Sequence, residues 1–116
     1  QIKKFEDFAV DDYRRFSPRF QGENFQKNLD LVAKIEALAT KTNCTASQLA
    51  LAWVMAQGEH IFPIPGTKRI KYLEENAGAL EVTFTKDELD EIDTIAPKGV
   101  AAGMRYTEAM MSSVNQ

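Results

Sequence analysis

The sequence predicts an α/β chain that is mostly helical and carries one clear parallel strand. The predicted strand is the short apolar run Ile61–Ile64, with turn residues on both sides. A continuous apolar run is typical of a strand that is buried on both faces of a parallel sheet. One strand cannot satisfy its own backbone donors and acceptors, so we expect its neighbours to come from residues outside this chain.

Helical periodicity accounts for most of the other segments. Apolar residues share one face from Glu23 to about Thr42. Thr45-Ala46-Ser47-Gln48 matches a capping box and begins a second helix, which is apolar almost all round and extends to about Gln57. Thr85-Lys86-Asp87-Glu88 is a second capping box, and Pro97 ends the helix that follows it.

Composition limits the class of protein. The 116 residues allow one domain, and 44% hydrophobic with 27% charged residues is ordinary for a soluble globular protein. A net charge of −3 argues against a nucleic-acid partner, and no apolar run approaches the ~20 residues that span a bilayer. With no secretory signal and a single cysteine, Cys44, we expect a cytoplasmic location and no membrane partner.

The segment after the predicted strand has the chemistry of a phosphate site. Pro65 and Gly66 break the strand, and Thr67 is predicted to cap a helix in which Ile70 begins the apolar face. Exposed N–H groups, the positive end of the helix dipole and Lys68 would all attract an anion there. The alternative is an ordinary βα unit with a solvated basic turn, since the segment lacks the GxGxxG and GKS/T patterns.

A larger set of motifs resembles one known family. The motifs are TASQLALAWV at 45–54, IPGT at 64–67, Glu75-Asn76 and TKDELDEID at 85–93. Their order and spacing resemble the C-terminal portion of the aldo-keto reductases. The resemblance is closest to the bacterial and plant NADPH-dependent branch with an IPGT phosphate segment. It covers nearly the whole chain, and it implies the C-terminal part of a (β/α)8 TIM barrel.

The domain organisation follows from the resemblance. A complete barrel needs roughly 250 residues, so residues 1–116 are expected to be the C-terminal fragment of a single barrel domain. Residues 1–24 would be a loop over the cofactor, residues 25–97 the last βα units and residues 98–116 a C-terminal tail. The expected macromolecular partner is the missing N-terminal part of the barrel.

The resemblance also implies four positions near the phosphates of a bound NADPH. Gly66 stands where the family's chain turns at the end of the eighth strand, and Thr67 and Lys68 stand where it meets the adenosine 2′-phosphate. Arg19, in the loop, would reach the pyrophosphate; an exposed loop arginine is the simpler interpretation. Many family members have Lys-Ser where this chain has Gly66-Thr67, which leaves the preference for NADPH over NADH open.

Three further positions are implied near the adenine. Tyr72 stands where other branches often carry Arg or Gln beside the base and its phosphate. Glu75 and Asn76 match the acidic-amide pair that reads the adenine amino group. The implied cofactor is therefore NADPH.

The implied reaction is transfer of a hydride from NADPH to a small-molecule aldehyde or ketone. The family's catalytic set lies on earlier strands, so we name no catalytic residue and expect the fragment alone to be inactive. The tyrosines Tyr13, Tyr72 and Tyr106 are interpreted as packing or rim residues. His60 has no second ligand at metal spacing, so no metal site is predicted.

Two alternatives remain at this point. One is a non-catalytic helical module that docks an anionic partner through Lys68, Arg69 and Lys71. The other is a regulatory barrel subunit that keeps the cofactor but works by interaction, as the voltage-gated potassium channel β subunits do. The module should fold alone, and the two barrel hypotheses differ in turnover of a simple aldehyde.

Overall fold

The computed structural model describes residues 2–114, which form two compact units. The loop–tail unit contains residues 2–33 and 98–114, and the helical unit contains Lys34–Pro97. The α-helices are α1 Gly22–Lys41, α2 Ala46–Ala56, α3 Ile70–Ala77, α4 Lys86–Ile95 and α5 Glu108–Met111. Short 3-10 turns lie at Phe5–Asp7, Tyr13–Phe16, Pro18–Phe20 and Gly78–Glu81.

Both predicted capping boxes are confirmed. The Thr45 hydroxyl accepts a hydrogen bond from the N–H of Gln48 at 3.2 Å, and the Thr85 hydroxyl accepts one from the N–H of Glu88 at 3.3 Å. The reciprocal bonds run from the Thr45 N–H to the Gln48 amide oxygen and from the Thr85 N–H to the Glu88 carboxylate. The bond from the Thr85 N–H favours the ionised carboxylate and lowers the pKa of Glu88.

The predicted parallel strand at Ile61–Ile64 is wrong for the chain as described. Residues 61–67 are extended, and no strand is formed anywhere in residues 2–114. The side chains of Phe62 and Ile64 are 79% and 97% exposed. Strand structure needs a neighbouring backbone to pair with, and the described chain supplies none at this segment.

The helical unit is held together by a small apolar core. Four residues from three helices are buried there: Leu38, Ala39, Leu49 and Ile92. Partly buried residues pack around them: Ile35, Cys44, Ala46, Trp53, Phe84, Leu89 and Ile95. Helix α2 also packs against α3 and against the turn Gly78–Glu81, which agrees with its nearly uniform apolar surface.

The loop–tail unit is organised around an aromatic cluster. The buried Phe8 ring lies 5.5 Å from the Phe20 ring and 5.8 Å from the Phe25 ring, centroid to centroid. Nearby, the Asp12 carboxylate accepts hydrogen bonds from the guanidinium and the N–H of Arg14, which lower the pKa of Asp12 to about 2. Residues 1–24, predicted as a loop with one short helical turn, contain three such turns in the described part.

One side chain joins the tail to α1. The Asn28 amide nitrogen donates to the carbonyls of Arg19 and Ala102, each at 2.9 Å. The Asn28 amide oxygen accepts from the N–H of Ala102 at 2.8 Å. This amide therefore satisfies both backbone groups of one tail residue and a carbonyl of the preceding loop.

Two tail glycines offer a matched test of this docking. Gly99 and Gly103 both have φ +86°, but only at Gly103 would a Cβ lie 2.9 Å from the Pro18 carbonyl. We expect Gly99→Ala to lower the free energy of unfolding by about 1 kcal/mol through backbone strain alone. Gly103→Ala should cost about 2 kcal/mol because it adds the clash. Urea unfolding of the full-length protein measures both, and equal losses would contradict the close approach.

Candidate functional site

The predicted phosphate segment is an exposed, extended stretch that leads into α3. The Thr67 hydroxyl accepts a hydrogen bond from the N–H of Arg69 at 3.3 Å and donates one to the Arg69 carbonyl at 3.1 Å. The N-cap of α3 is Arg69, and no side chain caps it. The prediction that Thr67 caps the helix is therefore wrong, because its hydroxyl closes a turn before the helix begins.

The start of α3 concentrates positive charge that no carboxylate of residues 2–114 pairs with. Lys68, Arg69 and Lys71 take part in none of the ion pairs found within residues 2–114. The N–H groups of Ile70 and Lys71 precede the first intrahelical bonds, which the N–H groups of Tyr72 and Leu73 donate to Arg69. Cations and unpaired N–H groups at a helix N-terminus form an environment suited to an anion.

Gly66 shows no structural need for glycine in this segment. Its φ lies outside the left-handed region, and a Cβ built on it would meet nothing within 4 Å. The predicted turn at Gly66 is thus an open, exposed position in the described chain. Any requirement for glycine would come from a group that approaches this backbone closely.

The Tyr72 and Asn76 side chains lie one helical turn apart on α3. The Tyr72 ring is 45% exposed, and the Arg69 guanidinium lies 6.0 Å from its centroid. Asn76 lines an apolar groove of about 320 Å³, which Phe62 and Leu80 also line. An exposed aromatic face beside an arginine is a suitable stacking surface for a planar ligand.

The Glu75 side chain is held by the neighbouring helix. One carboxylate oxygen, Oε1, accepts a hydrogen bond from the Thr45 hydroxyl at 2.8 Å. The Glu75 carbonyl accepts a second bond from the Gln48 side-chain amide at 3.0 Å. Within residues 2–114 no donor contacts the other carboxylate oxygen, Oε2, so Glu75 keeps one acceptor available to a ligand.

Arg19 belongs to the loop–tail unit, whereas the other six predicted positions belong to the helical unit. The Arg19 Nε atom is buried and has no hydrogen-bond partner among the described residues. Its side chain lines a cavity of about 570 Å³ that Arg105 also lines, together with Gly99, Gly103 and other tail residues. None of the described residues that line this cavity is acidic, and its two arginines favour an anion.

The bonds from Thr45 and Gln48 to Glu75 were not expected from the sequence. The capping box identified both residues, but only as local helix-forming groups. The separations of 30 and 27 residues carry no local signal. Asn28 was missed in the same way, because its bonds to Ala102 span 74 residues.

Comparison with known proteins identifies the family. The sequence pattern of the aldo/keto reductase family matches residues 4–97. This chain belongs to that family. The family prediction is thereby confirmed, and membership implies a (β/α)8 barrel, of which the described helices would be a part.

Two curated aldo-keto reductases illustrate the similarity. The aldo-keto reductase yakc [NADP(+)] of Schizosaccharomyces pombe is 50% identical over 112 residues, covering 97% of this chain and 33% of the relative. The str7 protein of Strobilurus tenacellus is 43% identical over 105 residues, covering 90% of this chain and 31% of the relative. This chain thus spans about one third of the length of the curated aldo-keto reductases that it matches.

Neither a metal centre nor a membrane span is found in the described part of the chain. Across residues 2–114 no group of three or more His, Cys, Asp or Glu side chains is placed to hold a metal ion. Every helix in that range is too short or too polar to cross a lipid bilayer.

Proposed function

We propose that this chain is the C-terminal portion of an NADPH-dependent aldo-keto reductase of the branch with an IPGT phosphate segment, and that it supplies the adenosine 2′-phosphate and adenine site. The observation that carries the proposal is the unpaired basic segment Lys68–Lys71 at the start of α3, which lies shortly before the anchored Glu75 carboxylate. The proposed cellular location is the cytoplasm.

The donor chemistry of the segment fits such a cofactor. Lys68 and the unpaired N–H groups at the start of α3 would hold the 2′-phosphate. The Thr67 hydroxyl would rotate to donate a hydrogen bond to the same phosphate. Tyr72 would lie against the base, and Glu75 and Asn76 would bind its amino group. Arg19 would contact the pyrophosphate. NADPH, when bound, supplies the hydride that reduces the carbonyl carbon of an aldehyde or ketone.

Exposed apolar surface supports the proposal that the rest of a barrel adjoins the helical unit. Four large apolar side chains near the extended segment are more than half exposed: Phe62, Ile64, Leu73 and Leu80. Apolar exposure on this scale is typical of a surface that another part of the protein covers. In the proposed barrel, the Ile61–Ile64 segment would find its strand neighbours there.

The test is cofactor binding and turnover by the full-length protein that carries this segment. We expect NADPH to bind, as measured by fluorescence titration, and to be oxidised in step with reduction of a simple aromatic aldehyde. The matched control omits the aldehyde. Absence of NADPH binding would overturn the proposal, and binding without turnover of any aldehyde or ketone would favour the regulatory-subunit hypothesis.

A further inference from the structure

The capping boxes of α2 and α4 use their threonine hydroxyl protons differently. In the box of α4, the Thr85 hydroxyl donates to the Glu88 carboxylate at 2.9 Å, so its proton stays within the box. In the box of α2, the Thr45 hydroxyl donates to the Glu75 carboxylate at 2.8 Å, thirty residues away. The threonine hydroxyl therefore bonds within its own box at α4, whereas at α2 it bonds to a residue of a second helix, α3.

The difference lies in the fourth residue of each box, which is Gln48 at α2 and Glu88 at α4. Glu88 is acceptor-only, and its Oε2 takes both the N–H and the hydroxyl proton of Thr85. In the α2 box, the Gln48 amide oxygen takes the N–H of Thr45, while its amide nitrogen donates to the Glu75 carbonyl. The Thr45 hydroxyl proton is therefore available to Glu75. The Thr45 hydroxyl and the Gln48 amide nitrogen both donate to that residue.

The chain also leaves room for this arrangement. A Cβ built on Gly78 would lie 2.5 Å from the Gln48 amide nitrogen, although the φ of Gly78 is an ordinary −61°. Backbone conformation does not demand glycine at this position, but a Cβ there would displace the end of the Gln48 side chain. Gly78 thus permits the bond between Gln48 and the Glu75 carbonyl.

We propose that Thr45 and Gln48 are positioning residues that fix Glu75 to accept a hydrogen bond from the adenine amino group of the cofactor. This inference rests on the proposed function, which places the adenine at Glu75. With Oε1 and the backbone carbonyl of Glu75 both anchored, Oε2 is the acceptor left for the ligand. An amino group is a donor, so it suits a carboxylate that is already ordered; an unanchored glutamate would lose side-chain freedom on binding.

The decisive variant is Gln48→Glu in the full-length protein. It converts the α2 box into the type found at α4, so the helix cap is kept. The introduced carboxylate accepts the Thr45 hydroxyl proton, and the amide that donates to the Glu75 carbonyl is lost. We expect the dissociation constant of NADPH to rise about two- to tenfold, as expected for one side chain that must be ordered on binding. Glu88→Gln, the reverse exchange in the α4 box, is the matched control and should leave NADPH binding unchanged.

A second ligand separates positioning from a general loss of structure. The purine analogue of NADPH carries a hydrogen atom in place of the adenine amino group, so its base has no N–H group to donate to Glu75. The unsubstituted protein should therefore prefer NADPH to the analogue. Gln48→Glu should weaken NADPH and leave the analogue's dissociation constant nearly unchanged.

Three further variants keep the test open if Gln48→Glu does not fold. Thr45→Val removes the donor to Glu75, Thr45→Ser restores it, and Thr85→Val removes an equivalent cap from α4. We expect weaker NADPH binding only for Thr45→Val.

Three outcomes would overturn the inference. Unchanged NADPH binding in Gln48→Glu and Thr45→Val, or equal weakening of NADPH and its purine analogue, would make the two bonds purely structural. If the unsubstituted protein showed no preference for NADPH over the analogue, the adenine amino group would not bind at Glu75. That result would contradict the proposed function itself.

Discussion

Lys68→Ala is expected to weaken NADPH binding by the full-length protein roughly ten- to hundredfold and to leave NADH binding nearly unchanged. Only NADPH carries the 2′-phosphate, which we assign to the start of α3. A hydrogen bond to a charged group contributes about 1.5–3 kcal/mol, and about 1.4 kcal/mol corresponds to one factor of ten. Fluorescence titration of both cofactors measures the two dissociation constants.

Lys71→Ala is the matched control for this prediction. Lys71 is an exposed lysine of the same segment, but it lies within α3, about one turn after Lys68. Its substitution should cost much less, and added salt should screen any effect more easily. Equal losses for NADPH and NADH in Lys68→Ala would refute the phosphate assignment, and a larger NADPH-specific loss in Lys71→Ala would move the phosphate one turn along the helix.

Asn28→Ala is expected to release the C-terminal tail. The substitution leaves three half-buried backbone groups without their partner: the carbonyl of Arg19 and both groups of Ala102. At about 1–3 kcal/mol for each unsatisfied group, the local loss of stability should reach about 3–4 kcal/mol. Trypsin cleavage after the exposed Arg105 in the full-length protein should accelerate by about a hundredfold or more, because cleavage follows local opening.

Gln26→Ala is the control for the tail prediction. Gln26 is an exposed amide on the same helix, and its nitrogen donates only to the Asp30 carboxylate at 2.8 Å. Its substitution should change stability by less than about 0.5 kcal/mol and leave the cleavage rate unaltered. Similar cleavage rates in the Asn28→Ala and unsubstituted proteins would show that other contacts hold the tail.

Local patterns in the sequence were enough to locate α1, α2 and α4. The predicted helix from Glu23 to about Thr42 corresponds to α1 at Gly22–Lys41, and the two capping boxes begin α2 and α4 where they were expected. Periodicity and capping depend on residues three or four positions apart, so both patterns are present in the local sequence. The family could be predicted for a similar reason, because its motifs are contiguous and regularly spaced.

The predicted strand failed for the opposite reason. The apolar run Ile61–Ile64 has the composition of a buried strand, but a strand exists only where another backbone pairs with it. The Thr67 cap failed because the helix begins at Ile70, and a hydroxyl can close a turn as readily as it caps a helix.

The amino-acid order alone was sufficient for the positions of α1, α2 and α4, the family and a basic segment suited to phosphate, since each depends on neighbours in the chain. Only the folded chain revealed that Thr45 and Gln48 hold Glu75 and that Asn28 holds Ala102. These hydrogen bonds join residues 27 to 74 positions apart, so their geometry is determined by how helices and tail pack and has no counterpart in local sequence.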